Sequence, residues 1–184
     1  MDAIVWNQAV KELSAKNYEA ARRAFEACGD YKEAKLQLAY LYQEGLGGAS
    51  DEEKAKKIYE QLADASDYEG TYFLAKLYLK KHQLAQAATY FEKSANLSHV
   101  SGAYWAATLY YGFEGYPKDD KRYWYFLKQA ASLGHVYAKR DWAWHDIRSA
   151  TNPLERAKAR IRYYGAMIKG IGISIKDPHD ARIR

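Results

Sequence analysis

Apolar and small residues recur along the chain at helical intervals, and the same arrangement returns every 32 or 36 residues. Small residues that open one class of predicted helix fall at Ala34, Gly70, Gly102 and Ala138, with spacings of 36, 32 and 36. Five positions later each is followed by alanine, at Ala39, Ala75, Ala107 and Ala143. An aromatic stands three further on in the first three, at Tyr42, Tyr78 and Tyr110, whereas the fourth has Asp146 there. A fixed phase over this distance is the mark of a repeat architecture, in which each unit leaves a hydrophobic face for its neighbour to cover.

A second class of helix carries triplets at i, i+4 and i+8. These are Ala55/Tyr59/Ala63, Ala87/Phe91/Ala95, Tyr123/Leu127/Ala131 and Ala159/Tyr163/Met167. Residues four apart share a helical face, so each triplet predicts a buried stripe. The last member of a triplet precedes the next opening residue by seven, as from Ala63 to Gly70, Ala95 to Gly102 and Ala131 to Ala138. Opening residue and last triplet member are separated by 29, 25, 29 and 29. Length therefore varies only in the loop between the helices of a pair, where growth is tolerated at the surface.

Loop chemistry agrees. Glu44-Gly45-Leu46-Gly47-Gly48-Ala49-Ser50 and Phe113-Glu114-Gly115-Tyr116-Pro117-Lys118 break the first and third repeats, and the second has only Lys80-Lys81-His82-Gln83. Helix starts are expected at Ser50 with Glu53, Ser66 with Glu69, and Asn152 with Pro153 and Glu155. Upstream, residues 3–15 and 18–28 form one more pair of weaker register, giving ten helices in five pairs. The expected organisation is a capping pair over residues 1–30, about four repeats over 31–169 and a tail over 170–184. That tail is either flexible or a strap over the last pair.

Three segments carry a resemblance to a known family. Ala39-Tyr40-Leu41-Tyr42-Gln43-Glu44-Gly45, Ala107-Thr108-Leu109-Tyr110-Tyr111-Gly112 and Lys128-Gln129-Ala130-Ala131-Ser132-Leu133-Gly134 resemble the small-x-x-Tyr-x-x-Gly helix end and the Lys-Ala-Ala-x-x-Gly second helix of Sel1-like repeats. These are relatives of the tetratricopeptide repeat, and the likeness covers residues 18–168. It implies an all-α, right-handed α-α superhelix, or solenoid, and a role in holding other proteins. In related superhelices, positions two, six and nine after the opening residue line the concave face. Carried onto this chain they are Leu36, Tyr40 and Gln43; Tyr72, Lys76 and Leu79; Tyr104, Thr108 and Tyr111; and Arg140, Trp144 and Ile147. Most of the 18 tyrosines belong to the aromatic core on the simplest reading. Those at groove positions join Trp144 and Arg140 in a composition that protein-recognition patches favour.

Composition and charge narrow the classes further. Of the chain's 184 residues only 3 are Pro and 12 Gly, which favours helix. No apolar run reaches the ~18 residues needed to span a membrane, and residues 1–6 are not expected to be a secretory signal. Cys28 is the single cysteine, which fits a reducing, cytoplasmic compartment and a small core residue. From Lys121 onward 14 Lys/Arg face 5 Asp/Glu, a balance of +9, against −4 for residues 1–120. Arg156, Lys158, Arg160 and Arg162 form a basic patch on the last helix, which is a solvated face, an acidic-partner surface or a phosphate-binding surface.

Signals for chemistry are weak. There is no phosphate-binding glycine loop of either common spacing. His99 and His135 stand 36 apart at equivalent turns, which repeat position explains better than metal binding. Asp141, His145 and Asp146 are too few to argue for a metal. No catalytic residue, metal or cofactor is expected. The leading expectation is a non-enzymatic adaptor that binds a protein or peptide on its concave face, as a chaperone, immunity or regulatory protein of bacterial type. The alternative is nucleic-acid or acidic-ligand binding through the basic C-terminal third.

Overall fold

A computed structural model describes residues 3–176, which form ten α-helices with no strand among them. Backbone packing divides the chain into two compact units, Met1–Leu77 and Tyr78–Arg184. The first contains α1 (Ala3–Ser14), α2 (Tyr18–Ala27), α3 (Lys32–Glu44), α4 (Glu52–Asp64) and most of α5 (Tyr68–Lys80). The second contains α6 (Leu84–Asn96), α7 (Val100–Tyr110), a 3-10 turn at Phe113–Gly115, α8 (Asp120–Leu133), α9 (Val136–Ser149) and α10 (Pro153–Lys176). Helices α3, α5, α7 and α9 start at Lys32, Tyr68, Val100 and Val136, reproducing the 36, 32, 36 spacing of the sequence. In the first unit α2 packs on both α1 and α3, and α3 on α4; in the second, each of α6 to α9 packs on the next.

The small residues are where helices approach most closely. Ala34, Ala39, Ala75 and Ala138 are completely buried, and Ala107 and Ala143 nearly so. A Cβ added at Gly70 would collide with the Leu62 side chain, and one at Gly102 would stand 2.7 Å from Ser94 Oγ. The repeat tyrosines are structural: the Tyr42 hydroxyl donates to Glu26 Oε1 at 2.6 Å, and Tyr110 donates to Glu92, which Arg122 also meets at 2.8 Å. Such bonds let a buried phenol keep its polar end satisfied. Around Ala9, Ala21, Phe25, Ala34 and Leu41 the first unit forms a core against which Trp6 and Cys28 pack. Cys28 is only half-buried and its thiol donates to Ala24 O at 3.3 Å, so it sits at the rim of that core rather than inside it.

One kind of turn joins α4 to α5, α6 to α7 and α8 to α9. The backbone N–H of Asp67, His99 and His135 donates to the carbonyl five residues back, at Leu62, Ser94 and Ala130, closing the helix that ends there. The same residue then caps the helix that begins. Asp67 Oδ1 accepts from Gly70 N at 2.7 Å, His99 Nδ1 from Gly102 N at 2.9 Å and His135 Nδ1 from Ala138 N at 3.3 Å. Immediately before it stands a residue in the left-handed region, Ser66, Ser98 or Gly134.

Two expected caps therefore shift by one residue. Ser66 has φ +59°, which is incompatible with the extended backbone of a cap, and Asp67 takes the role. Ser50 instead donates to Gln43 O, and Asp51 accepts from Lys54 N at 2.9 Å. Asn152 does cap α10 through Glu155 N. The stripes also adjust. Ala55, Tyr59, Ala63, Ala87, Phe91 and Ala95 are buried, but Tyr123, Ala131 and Tyr163 are half-buried and Met167 is exposed. In α10 the inner stripe runs through Ala159, Ala166 and Gly170, because 3.6 residues per turn carry a strict i+4 row off the contact line. The stretch from Gly170, expected as a tail, continues α10 as far as Lys176, and residues 177–184 lie outside the described residues.

Candidate functional site

In the second unit, the faces of α7, α8 and α9 enclose an open cavity of about 760 Å³. The repeat register of α7 places Tyr104, Thr108 and Tyr111 along it, with the small Ala107 between them on the floor. Helix α9 contributes Asp141, Trp144, His145 and Arg148, and α8 contributes Tyr123, Trp124 and Leu127. The walls are a chain of rings: Tyr111 meets Tyr123 at 5.2 Å, Tyr123 meets Trp124 at 4.6 Å, and Trp124 meets His145 at 4.2 Å. Behind Tyr104 lies the buried His135 at 3.9 Å, so the capping histidine also fixes a ring of the site. Trp144 and Tyr111 present their rings to solvent, 50% and 64% exposed.

One carboxylate serves this aromatic surface. Arg140 Nε and Nη2 both donate to Asp141 Oδ1, at 2.7 and 2.6 Å. Burial raises the Asp141 carboxyl above the usual range, and the Arg140 guanidinium works against that shift. The Tyr123 phenol is pushed up to about 12, first by burial and then by the nearby Asp141, and Tyr104 is raised for the same reasons. Thr108 donates to Tyr104 O and Ser149 to His145 O, each within its own helix. Among the described residues no group of three or more His, Cys, Asp or Glu stands placed to hold a metal ion. The surface can bury apolar or aromatic side chains and hold a cation over its rings, as Lys118 lies 5.4 Å from the Tyr111 ring.

Tyr104, Thr108, Tyr111 and Trp144 thus meet in one cavity, whereas Arg140 and Ile147 do not line it. Arg140 borders a smaller cleft of about 260 Å³ with Tyr137, Met167 and Gly170. Of the positions in the first unit, Leu36 is buried, Tyr40 is 46% exposed, and Gln43, Tyr72 and Lys76 are half-buried. The second-helix members Tyr123 and Trp124 were not among the expected groove residues. Their signal was the run Tyr123-Trp124-Tyr125-Phe126, more aromatic than one buried stripe can use.

The basic patch is partly engaged. Arg162 pairs with Asp146 at 2.8 Å, Lys158 with Glu155 at 2.9 Å, and Arg156 donates to Ala150 O. Arg160 is exposed with no carboxylate partner among the described residues. No helix among the described residues is long and apolar enough to cross a membrane.

No family model matches the sequence, and no curated protein does. Solved structures do match. A Sel1 repeat protein from Oxalobacter formigenes superposes with a TM-score of 0.70 at 22% identity, over 88% of this chain and 69% of that one. A protective antigen present in uropathogenic Escherichia coli strains, displaying an SLR fold, superposes with a TM-score of 0.66 at 22% identity. This chain is covered to 84% in that match and spans 34% of the antigen. Helix pairs that recur at 36, 32 and 36 residues, in a chain superposable on those proteins, make this a chain of the Sel1-like repeat fold.

Proposed function

We propose that the protein is a non-enzymatic interaction scaffold, and that the α7–α8–α9 cavity captures a protein or peptide partner. The observation that carries this reading is the open ring lining of Tyr104, Tyr111, Tyr123, Trp124 and Trp144, carried on the helices α7, α8 and α9. Aromatic residues lose little conformational freedom on binding and dominate recognition energetics. Asp141 adds one acceptor, suited to an amide or a cationic side chain of the partner. In the first unit, Tyr40, Tyr72 and Lys76 are the equivalent positions proposed to meet a partner, and Leu36 is buried. A reducing, cytoplasmic setting suits the lone Cys28 thiol. Chaperone, immunity and regulatory roles all use such a surface, and the partner's identity separates them.

Affinity capture from native cell extract tests the proposal. The wild-type chain is compared with Tyr111→Ala/Trp144→Ala, two truncations of exposed rings that leave the core untouched. Proteins bound by the wild type and lost with this variant identify the partner. If they stay bound to it and leave only with Arg156→Glu/Arg160→Glu, the cavity is not the site. A shift of arbitrary DNA or RNA at about 150 mM salt would favour the basic third instead.

A further inference from the structure

Helix α10 is apolar on two faces, and among the described residues only one is covered. The inner face, through Ala159, Tyr163, Ala166 and Gly170, lies against α9: Ala159 is fully buried, Tyr163 meets Trp144 at 5.6 Å, and a Cβ on Gly170 would touch Val136 at 3.0 Å. On the other face Leu154, Ala157, Ile161, Tyr164, Ile168 and Ile171 follow one another at intervals of 3, 4, 3, 4 and 3. All six are exposed, and the five large ones are 59–73% exposed. Alternating threes and fours over more than two heptads is the seam by which one helix docks on another.

The glycines supply an independent observation. Gly165 and Gly172 lie one heptad apart along the same edge of the seam, and a Cβ at either would meet nothing within 4 Å. Glycine is among the poorest helix formers, and no contact among the described residues demands it at these positions. Bare backbone along one edge of a seam lets a second helix approach closely. The flanks are cationic. Arg156, Lys158, Arg160, Arg162 and Lys169 stand against Glu155 alone between residues 153 and 174, and Lys158 and Arg160 border the seam on its two sides.

From this we infer that the outer face of α10 docks an acidic amphipathic helix of another protein, whose apolar positions fill the seam and whose Asp or Glu residues meet Lys158 and Arg160. Charge decides among occupants. A second copy would bring two strongly basic surfaces together, since the chain from Lys121 onward carries +9. A lipid surface would reward a broad apolar face rich in Trp and Phe, whereas this seam is two positions per heptad wide and edged by bare glycine.

The test uses the full chain and two synthetic four-heptad peptides with Ile and Leu in the seam positions, one flanked by Glu and one by Lys. Like charges keep each peptide from pairing with itself. The Glu peptide should bind at least about tenfold more tightly than the Lys peptide, and Arg160→Glu should narrow or reverse that ratio. Ile161→Asp/Ile168→Asp should cut Glu-peptide binding by about tenfold or more with helix content unchanged. Gly165→Gln/Gly172→Gln should raise thermal stability while weakening binding, a split that a purely structural role for glycine would not give. Equal binding of the two peptides, or binding of neither, overturns the inference. So does a wild-type dimer that Ile161→Asp/Ile168→Asp converts to monomer, or uptake of the chain by phosphatidylserine vesicles in place of either peptide.

Discussion

The turn residues show how finely the repeat is tuned at single positions. Three equivalent turns place a residue at positive φ, and only Gly134 is the residue type that does so without steric cost; Ser66 and Ser98 occupy the same place at φ +59° and +67°. Left-handed backbone costs a residue with a Cβ roughly 1–2 kcal/mol, part of which glycine's greater freedom when unfolded takes back. Ser66→Gly should therefore stabilise the protein by about 0.5–1 kcal/mol in chemical denaturation. The next residue along has the opposite sensitivity. His135 is fully buried, caps α9 and stacks on Tyr104, so His135→Ala should cost about 1 kcal/mol for the lost cap, with a further loss for the vacated space. The sequence indicated that His99 and His135 belong to the repeat rather than to a metal. It did not indicate capping, because histidine is a rare cap and Ser66 with Glu69 imitates the commoner signal.

At the scale of helices, legibility followed packing density. The first-helix alanines were readable because a buried small residue recurs in phase, and all four lie in tight helix contacts. Ala107 also floors the aromatic cavity, so Ala107→Leu should cost on the order of 1–3 kcal/mol by overpacking and should shrink the cavity. Equilibrium unfolding together with partner binding checks both effects. Helix α10 was harder to read. Its i+4 row Ala159/Tyr163/Met167 suggested one buried face, but Met167 is exposed and Ala166 takes the inner position. Two apolar stripes on one helix blur each other's period, and the basic residues between them mask the seam. The register of α7 predicts that Tyr104, Thr108 and Tyr111 share one face, as they do in the cavity, whereas Tyr123 and Trp124 are hidden because a second-helix stripe reads as core.

At the scale of the whole molecule, helix phase is legible in a single sequence and partner identity is not, since binding depends on side chains that the fold leaves free. Buried phenols give the molecule a shared pH response. Burial raises Tyr59, Tyr110 and Tyr123, the last to about 12, so folding favours their neutral form. Their contribution is complete below the ordinary phenol range near ~10 and is lost as pH climbs through the folded-state values. The unfolding temperature should hold steady at neutral pH and fall between about pH 10 and 12, in step with tyrosinate absorbance. Acidification should produce no mirror-image loss from these groups.

The most direct measurement is the affinity of the captured partner for the wild-type chain and for Tyr111→Ala/Trp144→Ala, each at about 50 and 500 mM salt. An aromatic groove predicts a loss of about tenfold or more in the variant at both concentrations, with little change in the wild type as salt rises. Wild-type affinity that collapses with salt while the variant binds as well as the wild type would contradict it.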